Sequence, residues 1–357
     1  MGRVNVRPEL RALPAYRFQP YPATVKLDQN ESPEDLPEPL RSTALGRLRD
    51  ASWNRYPDLH PDGLAERLGD RHGWPAEGVV VAGGSNVLIQ ALVIASGLGR
   101  RVVGLAPSFP LYELQARLLG AAFVAVPLGP GFAFPVDAVA AAMATDEGVG
   151  FVPSPMAPTG NAVAAADLAY VAGAVGPGWT LVIDEAYAEF AGGDAGAVAA
   201  DHPNVVRLRT LSKAFGLAGA RIGYALAHPA YATELRKALL PFSVSALQSA
   251  VAEAALDAPQ VVEERVRRTV AERERMADAL RTMGATVHPS ATNFLLLTVT
   301  DAAAAHAGLL AHGVLVRRQD HLPSLAGAVR VSIGTAEEND RFLAAFAALP
   351  PHVGRAA

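Results

Sequence analysis

The chain has 357 residues, half of them apolar, enough for two or three folding units or one large domain with a smaller satellite around a sizeable core. Its net charge of −4 and pI near 6.1 offer no basic footprint for nucleic acid, and no apolar run reaches the roughly 18 residues of a membrane helix. It contains no cysteine, which excludes disulfides, thiolate metal sites and a cysteine nucleophile.

The opening Met1-Gly-Arg-Val-Asn-Val-Arg7 carries no apolar signal core, which points to a cytoplasmic protein. Residues 1–40 are proline-rich and read as an irregular arm. From about residue 62, apolar strand patterns alternate with helical ones, the signature of a mostly parallel sheet. The expected order is strand Val79–Ala82, helix Ser85–Ser96, strand Val102–Ala106, helix Leu111–Leu119, strand Phe123–Val126, helix Val136–Met143, strand Gly150–Pro153 and helix Ala164–Ala174. Strands Leu181–Asp184, Val205–Leu208 and Ile222–Leu226 follow, then helix Ala230–Leu240. Residues 244–283 read as one long helical stretch, with Glu263, Glu264, Arg267, Arg268, Glu272 and Arg275 on a solvated face. Strand Asn293–Val299, helix Ala302–His312, strands Val314–Arg317 and Ala328–Ile333, and helix Ala336–Ala347 complete a small α+β unit. This divides the chain into an arm over 1–40, a large domain over 41–275 and a small domain over 276–357.

Three lysines, Lys26, Lys213 and Lys237, stand against 28 arginines. A lysine kept in so arginine-rich a chain suggests a need for an amine, because guanidinium neither loses its proton nor forms an imine. Lys213 lies in Thr210-Leu-Ser-Lys-Ala-Phe-Gly-Leu-Ala-Gly-Ala-Arg221, downstream of Thr180-Leu-Val-Ile-Asp184-Glu-Ala-Tyr187. An amine, a strand-end carboxylate, a phenol, two hydroxyls and an arginine are the parts of a pyridoxal 5'-phosphate (PLP) site. Asp184 would keep the ring nitrogen protonated, or it could cap a following helix. Tyr187 is within reach of the ring hydroxyl. Gly84-Ser85-Asn86 opens a helix after a strand, so its amides suit an anion, and Thr210, Ser212 and Arg221 add donors for a phosphate. Phe109 would stack on the ring, or simply pack in the core. The nine histidines show no metal-ligand spacing, and no metal site is expected.

In this order the motifs resemble the fold-type I aminotransferases, and several resemble the histidinol-phosphate aminotransferase family. The latter are Leu27-Asp-Gln-Asn30-Glu-Ser-Pro33, Asn54-Arg-Tyr56-Pro-Asp58, Asn293-Phe294 and Gly313-Val-Leu-Val-Arg317-Arg-Gln319 with Val329-Arg330-Val-Ser-Ile-Gly-Thr335. The resemblance implies an α/β fold: a large domain with a mostly parallel seven-stranded sheet, plus a small α+β domain. It makes Lys213 the residue that carries PLP as an imine and then shuttles the proton. Asp184 would pair with the ring nitrogen and Tyr187 with the 3'-oxygen. Ser85, Asn86, Thr210, Ser212 and Arg221 would hold the phosphate, and Tyr56 would reach the neighbouring subunit's cofactor in a homodimer. Arg317 and Arg330 would bind the anionic group of the substrates, with Asn293 beside them and Tyr16 and Asn30 closing over it.

The implied reaction exchanges an amino group between histidinol phosphate and 2-oxoglutarate. The same scaffold serves aromatic amino-acid aminotransferases and a threonine-phosphate decarboxylase. A non-catalytic PLP sensor would need a DNA-binding module, and residues 1–40 show no helix-turn-helix pattern. One stretch departs from the family's Asn-Pro-Asn-Asn-Pro-Thr-Gly: here it is Ser154-Pro-Met-Ala157-Pro-Thr-Gly160-Asn161. Ala157 stands where a second donor to the 3'-oxygen is expected, so that duty falls to Tyr187 unless a water or Asn161 replaces it.

Overall fold

The computed structural model describes residues 5–13 and 21–354. Seven strands form the central sheet, in the order Val79–Ala82, Gly223–Leu226, Val205–Thr210, Trp179–Asp184, Gly148–Pro153, Arg101–Ala106, Ala122–Pro127. Only Gly223–Leu226 runs antiparallel to its neighbours. The five strands from Val79–Ala82 to Gly148–Pro153 are buried along their whole length. Helices cover both faces, which is why these strands read as continuous apolar runs rather than alternating ones. The expected fold class holds.

A second core is built from both ends of the chain. Strand Val25–Lys26 pairs in parallel with Val314–Leu315. Beside it lies an antiparallel sheet ordered Arg317–Arg318, Ala328–Ser332, Phe294–Thr298, Thr286–Val287. Val25, Leu27, Leu295, Val331, Phe342 and Phe346 meet in this core. The 24-residue helix Pro259–Thr282 joins the two bodies: Val262 is buried in the large core, and Met276, Ala277 and Leu280 in the small one. Among the described residues no helix is long and apolar enough to cross a membrane.

Several expected boundaries move for clear reasons. The stretch 244–283 is two helices, Ala246–Leu256 and Pro259–Thr282. The break is Ala258, at φ −129 and ψ 62, because a residue before proline is pushed out of the helical region. Pro259 then sits at the first turn of the next helix, where its missing N–H costs nothing. Helix Ser85–Leu92 continues as a π turn over Val93–Gly97. The expected strand Val314–Arg317 divides at Val316 into two short strands that serve different sheets. Within residues 1–40 lie helix Pro8–Ala12, strand Val25–Lys26 and the start of helix Glu38–Asp50, so the arm is more ordered than its prolines suggest.

Behind strand Trp179–Asp184 lies a buried ion network. Glu185 accepts from Arg207 at 2.9 Å and from Arg209 at 3.1 Å, while Asp194 contacts both arginines and Glu189 pairs with Arg209. Arg207 and Glu185 are each 1% exposed. Glu185 also accepts from the Ala195 amide. Removing one member of such a network strands its partners' charge, at about 3–5 kcal/mol. Glu185→Ala is therefore expected to lower unfolding stability by about that amount in urea titration, more than loss of an exposed pair such as Lys237–Glu234.

Candidate active site

The carboxyl ends of strands Gly148–Pro153, Trp179–Asp184 and Val205–Thr210 open onto a cavity of about 460 Å³. Ligands collect at such strand ends because loop amides and side chains converge there. Its walls include Lys213, Asp184, Tyr187, Ser85, Asn86, Phe109, Thr210, Ser212 and Arg221. Nine of the residues singled out from sequence thus share one hollow, and Ala157 lines it too.

One end is built for an anion. Gly84 has φ +100 and ψ 156, a conformation open only to glycine, and it turns the chain into helix Ser85–Leu92. A Cβ on Gly84 would collide with the Arg221 guanidinium, and one on Gly223 with the Ser85 amide nitrogen. The two glycines therefore let the cation and the helix N-terminus close on the same space. Arg221 itself is held at φ +56, an uncommon conformation for a side chain this large. Gln248 fixes it by donating to its carbonyl at 2.8 Å. Its Nη1 donates to the Ala218 carbonyl at 3.1 Å and reaches Ser212 Oγ at 3.4 Å. Thr210 Oγ1 donates to Ser212 Oγ at 3.0 Å and accepts from the Ser212 amide. These hydroxyls, amides and the guanidinium fit a phosphate dianion.

The other end holds Asp184, 6% exposed. The Tyr112 hydroxyl donates to its Oδ2 at 2.6 Å, and the Ala186 amide to Oδ1 at 3.0 Å. Burial still pushes the carboxyl up to about 6, with Glu185 adding repulsion. A carboxylate so poised is short of a cation, and a protonated ring nitrogen would supply one. The cradle and this carboxylate fit PLP. Tyr112 stacks on Phe151 at 4.7 Å, and Phe109 meets Tyr112 edge-on at 5.7 Å.

Between the two ends stands Lys213, whose Nζ donates to the Gln29 carbonyl at 3.1 Å and lies 5.8 Å from the Tyr187 ring centre. Asn30, 1% exposed, donates from Nδ2 to the Tyr187 hydroxyl at 2.9 Å. Asn293 is buried and donates to the Asn30 carbonyl at 3.0 Å, so it stands behind Asn30 and does not line the cavity. Arg317 and Arg330 face each other across adjacent strands, and neither lines the cavity. Arg330 donates to the Asp28 carbonyl at 2.7 Å and lies 5.3 Å from the Phe294 ring centre. Tyr56 is 82% exposed, stacks on Phe242 at 5.0 Å, and belongs to a separate hollow of about 730 Å³ with Trp53 and Leu247. That larger hollow lacks an amine, a buried carboxylate and an anion cradle. Tyr16 lies outside the described residues. Asn161 donates to the Phe132 carbonyl at 2.7 Å and is not in the cavity wall, so it leaves the duty of the missing asparagine unfilled.

Sequence reasoning passed over Tyr112, Gln29 and Ser332. Tyr112 lies in the expected helix Leu111–Leu119, where a tyrosine among apolar residues reads as core. Ser332 donates to Asn30 Oδ1 at 3.1 Å across 302 positions, which no local pattern reveals. Among the described residues no group of three or more His, Asp or Glu side chains could hold a metal.

The family described as aminotransferase class I and II matches residues 22–346. The chain is 44% identical over 351 residues to a histidinol-phosphate aminotransferase of Deinococcus radiodurans, covering 98% of this chain and 97% of that one. It is 39% identical to the enzyme of the same name from Thermococcus kodakarensis, over 95% and 97% of the two chains. Among solved structures, the histidinol-phosphate aminotransferase of Sinorhizobium meliloti in complex with pyridoxal-5'-phosphate superposes with a TM-score of 0.87, at 26% identity, covering 98% of each chain.

The raised Asp184 value has a measurable sign. An exposed aspartate titrates near 3.9, so the cofactor-free folded state binds this proton more tightly than the unfolded chain does. This group's contribution to stability is full below about pH 4 and is lost as pH rises through about 6. Cofactor-free Asp184→Asn is therefore expected to be more stable than wild type at pH 8, by on the order of 3 kcal/mol. The gap should narrow toward pH 4 in denaturant titrations. Equal stabilities at pH 8 would mean that Asp184 is not held in the buried state described.

Proposed function

We infer the reaction from one premise: the chain belongs to the class I and II aminotransferases. It is a PLP-dependent transaminase that moves an amino group between histidinol phosphate and 2-oxoglutarate, a step of histidine biosynthesis. The observation that carries the reading is one lysine amine sharing a cavity with a buried strand-end carboxylate and an arginine-lined anion cradle. PLP, bound there, supplies an electron sink for charge that develops at the substrate's α-carbon.

The chain's own residues divide the remaining work. Gly84, Ser85, Asn86, Thr210, Ser212 and Arg221 anchor the phosphate. Asp184 keeps a proton on the ring nitrogen, with Tyr112 and the Ala186 amide holding the carboxylate in place. Phe109 covers one ring face. Lys213 Nζ moves the proton at the α-carbon. Arg317 and Arg330 receive the substrate's anionic group, a reading supported by their cross-strand register. Two guanidiniums on neighbouring strands can both donate to one anion. Asn293 supports that side through Asn30.

The same reading makes the active unit a homodimer. Its support is a cluster of exposed apolar side chains at the larger hollow: Trp53 at 78%, Tyr56 at 82% with Phe242 stacked on it, and Leu247 at 52% exposed. Tyr56 reaches from that face to the partner's phosphate. The division into arm 1–40, large domain 41–275 and small domain 276–357 belongs to this reading, with helix Pro259–Thr282 as the hinge-spanning element. Charged, water-soluble substrates suit an aqueous compartment, and the cytoplasm is the one assigned here.

Borohydride reduction of the PLP-loaded protein is expected to fix the label on Lys213, and the labelled protein to lose turnover of histidinol phosphate with 2-oxoglutarate. Label on Lys26 or Lys237 would sink the assignment. An aromatic amino acid turned over faster than histidinol phosphate would move the enzyme to the neighbouring substrate class. For the shared site, Tyr56→Ala and Lys213→Ala subunits, each inactive alone, should regain part of the activity when mixed, since one of the two sites in a hybrid dimer is then intact. A fully active monomer in sedimentation would refute sharing.

A further inference from the structure

We propose that Asn30 is a positioning residue that aims the Tyr187 hydroxyl hydrogen at the cofactor's 3'-oxygen, an aim that matters more here because Ala157 supplies no second donor. The inference rests on the cofactor reading above. A phenol has one hydrogen. Asn30 Nδ2 donates to the Tyr187 oxygen at 2.9 Å, so that oxygen acts as acceptor on the Asn30 side and its hydrogen must point elsewhere. The Tyr187 ring is fixed edge-on to Phe294 at 5.4 Å, and Tyr187 lines the cavity. The cavity is where the hydrogen goes. Accepting one hydrogen bond also strengthens the hydroxyl as a donor.

Asn30 has no freedom to turn. Its amide nitrogen donates to Ser332 Oγ at 2.8 Å, and its carbonyl accepts from Asn293 at 3.0 Å. Ser332 Oγ, having accepted from the backbone, places its own hydrogen on Asn30 Oδ1 at 3.1 Å. That leaves Nδ2 as the end facing Tyr187. The backbone sits at φ +53, a left-handed conformation that asparagine tolerates better than most residues. Ala157 offers only a methyl group at that place in the wall, and Tyr112 is committed to Asp184.

The decisive exchange is Asn30→Asp, which keeps the shape and replaces the donor by an acceptor. The carboxylate would draw the Tyr187 hydrogen away from the cavity. Asn30→Gly is the companion variant, because glycine keeps the left-handed backbone and removes the donor without a new charge. Each is made in the wild-type, Tyr187→Phe and Ala157→Asn backgrounds. Two quantities are read from the full-length protein: PLP affinity by equilibrium dialysis, and the midpoint of the bound cofactor's absorbance change with pH.

In the wild-type background both variants should weaken PLP about tenfold or more, since a hydrogen bond to a charged group of about 1.5–3 kcal/mol corresponds to at least that. They should also raise the absorbance midpoint by on the order of one unit. In Tyr187→Phe neither change should move the midpoint further, and Ala157→Asn should restore much of it. Equal shifts with and without the Tyr187 hydroxyl, or an unmoved midpoint in wild type, would overturn the inference while leaving the cofactor assignment standing. A wild-type protein that does not take PLP on Lys213 would overturn both.

Discussion

The candidate site depends on keeping a carboxylate at the end of a buried strand. Asp184 closes Trp179–Asp184, a strand with no exposed residue, where an unpartnered anion is costly. Its neighbours answer that cost in part. Tyr112 and the Ala186 amide donate to it, and on the opposite face of the strand Glu185 is neutralised by Arg207 and Arg209. The remaining deficit, a carboxyl pushed up by its burial, leaves the site short of a cationic partner. Cradle, amine and phenol are arranged in the same cavity.

The site draws on three stretches of chain far apart in sequence. Strand ends and loops of the large sheet supply Ser85, Asp184, Tyr187 and Lys213. The segment Asp28–Asn30 supplies the Gln29 carbonyl to Lys213 and the Asn30 amide to Tyr187. Strand Ala328–Ser332 of the small sheet holds that segment through Arg330 and Ser332. The two residues on that strand are two positions apart and so point to the same side. A change at the arginine pair thus has a short hydrogen-bonded route to the phenol beside the cofactor.

Much of this was legible in the sequence where chemistry restricts residue type. Only lysine can form the imine, so Lys213 stood out against 28 arginines. Strands came through because a sheet covered on both faces writes itself as apolar runs. Helix ends were less legible, though Ala258-Pro259 carried the signal for the one break that mattered. The hub at Asn30 was invisible in its role, since its partners Tyr187 and Ser332 lie 157 and 302 positions away. Tyr112 was missed because burial and hydrogen bonding to a carboxylate look the same in sequence as burial alone.

The parallel pairing of Val25–Lys26 with Val314–Leu315 sets an order of events during synthesis. Thr24 donates to the Gly313 carbonyl across 289 positions, so the whole large sheet is made before the early segment finds its partner. Contacts of such long sequence separation form slowly, because the intervening chain must first be ordered. All strands of the large sheet precede residue 227, whereas the small core also needs Val331, Phe342 and Phe346 and so cannot close until nearly the whole chain has emerged. Until then Val25 and Leu27 have no core to enter, since the residues they pack against are among the last to be made.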